Sequence, residues 1–228
     1  MMNNMYRLQK IDEISMPLHC YLNKDDVCYF IFDYIARGGY TAGPGNDIIS
    51  NLKKPISEKQ TNPSAYKYKE GVINDIADNL SHYFNENNIA KYTFVPIPPS
   101  KIREDPEYDD RLMQILGRFA GKVRGKYGIT ADIRDIIIQA SSYKSAHTSS
   151  GKRPSPDFYK AFYQIIDDKD VAPHKIIIFD DVLTTGAHFI AAKACLKQYY
   201  KERDGVDVPV LGFFVARRVY DYYKEDPS

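Results

Sequence analysis

The residues best placed to do chemistry are 176–186, Ile-Ile-Ile-Phe-Asp-Asp-Val-Leu-Thr-Thr-Gly. The four apolar residues read as a central strand. Asp180 and Asp181 follow at its carboxyl end, and Val182 and Leu183 lead into a loop. Two hydroxyls (Thr184, Thr185) and Gly186 then stand where a helix opens. In an open parallel sheet, ligands bind beyond the carboxyl ends of the strands. A helix N-terminus with a glycine offers backbone N–H groups to a phosphate, and threonine hydroxyls add donors. Adjacent carboxylates suit a polyol, whose hydroxyls donate to them, or a Mg²⁺ that carries phosphates. One ligand meets both demands: a sugar with free hydroxyls and a phosphate at its far end. The bland alternative is a strand that ends in Asp with an ordinary capped helix behind it.

Other phosphate motifs fail. Gly151-Lys152 is followed by Arg153, and Ala146 stands where a Walker loop needs its first glycine. Gly43 and Gly45 are not continued into a dinucleotide fingerprint, and Val182 occupies the second acidic position of an Asp-x-Asp phosphatase pattern. Two other segments fit the sugar phosphate. Residues 95–101 end a strand in a proline-stiffened loop (Pro98, Pro99) and then present Ser100, Lys101 and Arg103. An ordinary strand-to-helix turn is the alternative there. Residues 139–156 are long, Ser-rich and basic, with Lys144, His147, Lys152 and Arg153. Such a loop suits closure over a polyphosphate, or is simply an exposed linker. The acids Asp105, Glu107, Asp109 and Asp110 either complement the dipole of a first helical turn, the preferred reading, or lie beside a pyrophosphate whose Mg²⁺ offsets their repulsion. Arg111 is open between the site and solvent.

The 180–186 string resembles the phosphoribosyl pyrophosphate (PRPP) signature of the type I phosphoribosyltransferases. The resemblance implies that Asp180 and Asp181 contact the ribose hydroxyls and the Mg²⁺ that PRPP carries. It assigns the 5′-phosphate to Thr184, Thr185, Gly186 and Ala187, with Val182 and Leu183 in the same loop. Residues 95–101 resemble the family's pyrophosphate loop, with Pro98, Pro99, Ser100, Lys101 and Arg103 toward the pyrophosphate. The 139–156 segment corresponds to its flexible loop, with Lys152 and Arg153. Residues 40–53 narrow the likeness to the ComF-like (competence protein F) branch, over most of 40–217. Two departures stand out. The four-cysteine zinc module common in that branch is missing. His188 replaces the small hydroxyl residue that usually completes the phosphate loop; its imidazole either donates to phosphate or faces solvent.

The reaction so implied is displacement of pyrophosphate from the anomeric carbon of PRPP by a nitrogen acceptor, through a transition state of oxocarbenium character. Positioning and leaving-group stabilisation are then the protein's work, with Asp180, Asp181 and Lys101 as the catalytic set and no evident general base. A non-catalytic PRPP-binding regulator is the alternative, as is an effector in a multi-gene cassette. The acceptor is unassigned, and a homodimer is compatible with the reading.

These residues require an α/β fold: a mainly parallel open sheet flanked by helices, as in the resembling family, with a β-rich hood over 1–54 and the core over 55–228. Apolar strands are expected at 27–36, 92–97, 133–138, 175–179 and 208–216, and amphipathic helices at 47–53, 70–84 and 186–200. Asp105-Pro106 reads as the start of a further helix, ended by Gly125 and Gly128. Residues 54–69 read as a surface loop, and 158–166 fit helix or strand equally. Tyr29, Phe30, Tyr34 and Tyr40 either stack on a base or form one buried strand face; the buried face is the preferred reading.

Composition agrees with a single folded unit. With 228 residues, 43% of them hydrophobic, the chain can bury a sizeable core without disulfides or metals. Its net charge of +1 gives no sign of a nucleic-acid binder. Cys20, Cys28 and Cys195 form no CxxC pair and no disulfide framework. No secretory leader or membrane-length apolar run is visible, so a cytoplasmic protein is expected.

Overall fold

The computed structural model describes residues 6–141 and 154–220. In chain order its strands are β1 (Gln9–Lys10), β2 (Cys28–Ile35), β3 (Thr93–Pro96), β4 (Asp132–Ile133), β5 (Ile137–Gln139), β6 (Tyr163–Ile165), β7 (Ile176–Leu183) and β8 (Val210–Val219). Its α-helices are α1 (Pro44–Leu52), α2 (Glu58–Thr61), α3 (Pro63–Tyr83), α4 (Arg111–Tyr127), α5 (Pro156–Lys160) and α6 (Ala187–Asp204).

Six strands form one sheet in the order β1-β2-β8-β7-β3-β4, and β5 and β6 form a separate antiparallel pair. Only β1 runs antiparallel in the large sheet. The chain is therefore α/β, with a mostly parallel mixed sheet flanked by helices. Neighbouring residues on β8 show both faces covered. Phe213 packs on Phe84 and Phe179, whereas Phe214 meets Phe189 of α6. Such double burial accounts for the unbroken apolar runs of the central strands.

The site follows from the strand order. From β3 the chain passes through α4 to β4 on one flank. From β7 it passes through α6 to β8 on the other. The connections leaving the adjacent strands β3 and β7 thus diverge, and a crevice opens beyond their carboxyl ends.

Several elements depart from expectation. β7 does not end at Phe179 but runs through Leu183. Asp180, Val182 and Leu183 stay in register with Phe214, Ala216 and Arg217 of β8, and this ladder keeps the segment extended. Val182 and Leu183 are therefore buried strand residues rather than loop residues. Residues 54–69 contain helix: Pro63 takes the first position of α3, where its missing N–H costs nothing, and the Asn62 side chain accepts the Ala65 N–H at 3.3 Å. Asp105 does not begin α4. Its carboxylate accepts the Glu107 N–H at 2.8 Å in a turn, and the helix starts at Arg111. Gly125 lies inside α4, and Gly128, in the left-handed conformation, ends it. The expected strand 133–138 is split between the two sheets at Arg134-Asp135. Residues 158–166 are partly helix and partly strand. Of residues 1–54, β2 lies within the large sheet beside β8.

Candidate functional site

Strand alternation aims the two aspartates in opposite directions. Asp181 shares the face of Phe179 and reaches the ends of two helices on that side. Lys53, at the C-cap of α1, places its Nζ 3.0 Å from Asp181 Oδ1. Arg111, the first residue of α4, donates to Oδ2 from Nε at 3.1 Å and also from Nη2. Its Nη1 donates to Asp109 at 2.8 Å. Lys69, 1% exposed on α3, donates to the same Asp109 oxygen at 2.7 Å and to the Lys54 carbonyl at 2.8 Å. The result is a chain of alternating charge: Lys69, Asp109, Arg111, Asp181, Lys53.

The backbone fixes this chain. Gly45 lets α1 start against β2, since a Cβ there would come within 2.1 Å of the Asp33 carbonyl. Beside it, buried Asn46 pairs with both backbone groups of Ile35, at 2.8 and 2.9 Å. These contacts set the direction in which α1 delivers Lys53.

Burial pushes the Asp181 carboxyl up, but Lys53 and Arg111 more than offset this and hold it well below the ordinary range. Burial and the charge of Asp181 push Asp180 well above its ordinary value. One oxygen of Asp180 accepts the Asp181 N–H at 2.7 Å. The pair is thus one firm carboxylate and one readily protonated neighbour.

The 184–186 turn follows directly. Gly186 has φ 86°, in the region that favours glycine, and caps α6. The N-terminal segment lies against it. The Tyr21 N–H donates to the Thr185 carbonyl at 3.0 Å. Buried His19 hydrogen-bonds the Thr184 carbonyl through Nδ1, which makes Nδ1 the protonated nitrogen. Its Nε2 has no hydrogen-bond partner among the described residues. In the first turn of α6, His188 lies against Tyr159 with ring centroids 3.8 Å apart, and its Nδ1 is 3.4 Å from Tyr163 Oη. Burial pushes its pKa down to about 4, so it is neutral at pH 7.

A cavity of about 480 Å³ occupies the crevice. It is lined by every residue from 180 to 188 and by Pro98, Pro99 and Ser100 from the β3 loop. The Gln139 side chain holds that loop by donating to the Ser100 carbonyl at 2.6 Å. Lys101 and Arg103 lie elsewhere, lining a smaller neighbouring cavity. Lys101 pairs with Asp105 at 2.9 Å and Arg103 with Asp135 at 2.6 Å. Lys152 and Arg153, with Lys144 and His147, fall outside the described residues.

The main cavity also gathers Lys53, Arg111, Tyr108, Tyr159, Asp109, Asp110 and Asp135. Sequence reasoning left Arg111 open and met Lys53 only as the last residue of the 40–53 segment, with no role, because nothing local ties either to Asp181. Among the described lining residues, five carboxylates face two cations. That balance repels a bare polyanion and suits a polyol, or a phosphate accompanied by a divalent cation. No helix among the described residues is long and apolar enough to cross a membrane. Comparison of the chain with protein-family models and with curated proteins found no match.

Proposed function

We propose that this chain is a PRPP-binding protein of the type I phosphoribosyltransferase kind, transferring phosphoribosyl to a nitrogen acceptor with release of pyrophosphate. One observation carries the reading. The Asp-Asp-Val-Leu-Thr-Thr-Gly string and the Pro98–Pro99–Ser100 loop line one cavity, at the point where the strand order diverges. Asp180 and Asp181 accept hydrogen bonds from the ribose hydroxyls. Thr184, Thr185 and the first N–H groups of α6, which lack intrahelical acceptors, take the 5′-phosphate. Attack on the anomeric carbon forms the C–N bond as the C–O bond to pyrophosphate breaks, and its electron pair leaves with the pyrophosphate.

Mg²⁺ enters this scheme with the substrate. Among the described residues no three His, Cys, Asp or Glu side chains converge on one point, and Asp181 is already paired with two cations. Asp180 is the residue that would hold a Mg²⁺ brought by PRPP, and the ion would supply charge neutralisation for the leaving group.

Calorimetric titration with Mg-PRPP tests the reading. Wild-type protein is expected to bind. Asp180→Asn, which leaves the Lys53 and Arg111 pairs in place, is expected to bind at least tenfold more weakly. Asp180→Asn combined with Asp181→Asn is expected to lose binding. Unchanged binding in the double variant would sink the assignment. A panel of nitrogenous bases, assayed for pyrophosphate release, then separates transferase from sensor. A binding-only role has one observation in its favour: Lys101 and Arg103 are tied to Asp105 and Asp135 and do not line the main cavity.

A further inference from the structure

If Lys101 and Arg103 do not face the ligand, other cations must meet its pyrophosphate. Two described cations line the main cavity, Lys53 and Arg111, and both are committed to Asp181. The same carboxylate is the one that the proposed function assigns to ribose hydroxyls. We propose, resting on that function, that Lys53 and Arg111 are the pyrophosphate-binding residues, and that ligand entry exchanges their ion pairs with Asp181 for contacts to the ligand.

The geometry suits an exchange. Asp181 is 6% exposed at its side chain and Lys53 is 44% exposed, so Lys53 can swing while the carboxylate stays in place. Arg111 is held at two points. Its Nε and Nη2 serve Asp181, while Nη1 remains on Asp109, which Lys69 anchors from α3. Released from Asp181, the guanidinium keeps its tether at the cavity wall and presents a two-donor edge that fits a phosphate. Asp181 in turn is left with hydroxyl donors instead of cations. No buried charge is stranded at either end, which is the costly outcome when only one partner of such a pair is removed. The free protein therefore masks its own anion site with an internal carboxylate.

The masking predicts that Asp181→Asn raises the affinity for a bare anion. For inorganic pyrophosphate without Mg²⁺, this variant is expected to bind at least tenfold more tightly than wild type, because both cations are freed. Adding Lys53→Gln is expected to cancel most of that gain. For Mg-PRPP, Lys53→Gln and Arg111→Lys in the otherwise wild-type chain are each expected to weaken binding about tenfold or more. Lys53 is exposed enough that its variant retains the fold, and a circular dichroism melt of each variant checks this. Arg111→Lys keeps the charge and loses only the fork. The proposal is overturned if Asp181→Asn binds pyrophosphate no better than wild type. It is equally overturned if the gain survives Lys53→Gln, or if Mg-PRPP binding is indifferent to Lys53 and Arg111. Failure of wild type to bind Mg-PRPP, with the pyrophosphate gain intact, overturns the functional reading and leaves the masked anion site standing.

Discussion

His188 shows how one side chain sets the character of the turn between β7 and α6. Its ring lies against Tyr159 where it lines the cavity, and burial outweighs the attraction of Asp181. An imidazole with a folded pKa near 4 and an unfolded value of about 6.5 contributes stability as the neutral base. That contribution is complete above about pH 6.5 and is lost as pH falls toward the folded value. Urea unfolding at pH 7, 5.5 and 4.5 should therefore show wild type losing about 1–3 kcal/mol more than His188→Gln across the range. Asp180 and Asp181 titrate in both proteins, so the difference isolates His188. Parallel pH profiles would remove it as the titrating group. The oddity of His188 was visible in the sequence, because it interrupts a contiguous string. Its neutrality was not, since Tyr159 and Tyr163 come from α5 and β6, outside the motif. Lys53 and Arg111 escaped for the same reason: their relation to Asp181 exists only across the folded chain.

At the scale of elements, the turn between β7 and α6 is braced by the chain's own N-terminal region. His19 and the Tyr21 amide hold two consecutive carbonyls, and Leu22 packs where a side chain on Gly186 would have to go. A Cβ at Gly186 would approach Leu22 Cδ2 to 2.9 Å, on a backbone with φ 86°. Gly186→Ala is therefore expected to cost about 1–3 kcal/mol in urea unfolding. It should also speed amide exchange at Tyr21, whose N–H is the direct reporter of the Thr185 contact. Unchanged stability together with unchanged Tyr21 exchange would count against the brace. In the sequence, residues 1–54 suggested a hood, and nothing local tied residues 19–22 to the turn. Strand centres were legible because doubly buried strands are long apolar runs. Boundaries were not, where polar residues continue an element through long-range pairing, as Asp180 and Asp181 do in β7 and Lys69 does in α3.

Across the whole molecule, the small β5-β6 sheet has to be held against the large one, and a buried polar cluster does this. Arg134, which follows β4, donates to Asp167 at 2.7 Å, to Asp132 at 3.0 Å and to the Val171 carbonyl at 3.0 Å. Asp167, just beyond β6 and with its side chain closed to solvent, also accepts from the Tyr200 hydroxyl of α6 at 2.7 Å. Burial pushes the Asp167 carboxyl up, yet the Tyr200 hydroxyl, the Lys169 amide and Arg134 together leave it below its ordinary value. One carboxylate thus joins the large sheet, the small sheet and α6. The split of the expected 133–138 strand follows from it, because Arg134 turns into this cluster while its N–H still bonds the Phe94 carbonyl at 2.9 Å. Removing Asp167 leaves the buried Tyr200 hydroxyl without its acceptor and Arg134 with Asp132 as its remaining carboxylate. Asp167→Ala should cost about 1–3 kcal/mol by urea unfolding. Tyr200→Phe, which deletes one hydrogen bond and keeps the packing, should cost about 0.5–1.5 kcal/mol. The combination Arg134→Met with Asp167→Leu, which removes both charges, should cost less than Asp167→Ala alone. If the double replacement is the more damaging, the cluster acts through its own attraction rather than through the penalty of buried polar groups left short of partners. Because β5 and its Gln139 also hold the Ser100 carbonyl, loosening in Asp167→Ala should extend to the cavity wall formed by Pro98, Pro99 and Ser100. Faster amide exchange at Ser100 than in Tyr200→Phe would register that coupling between the clamp and the site.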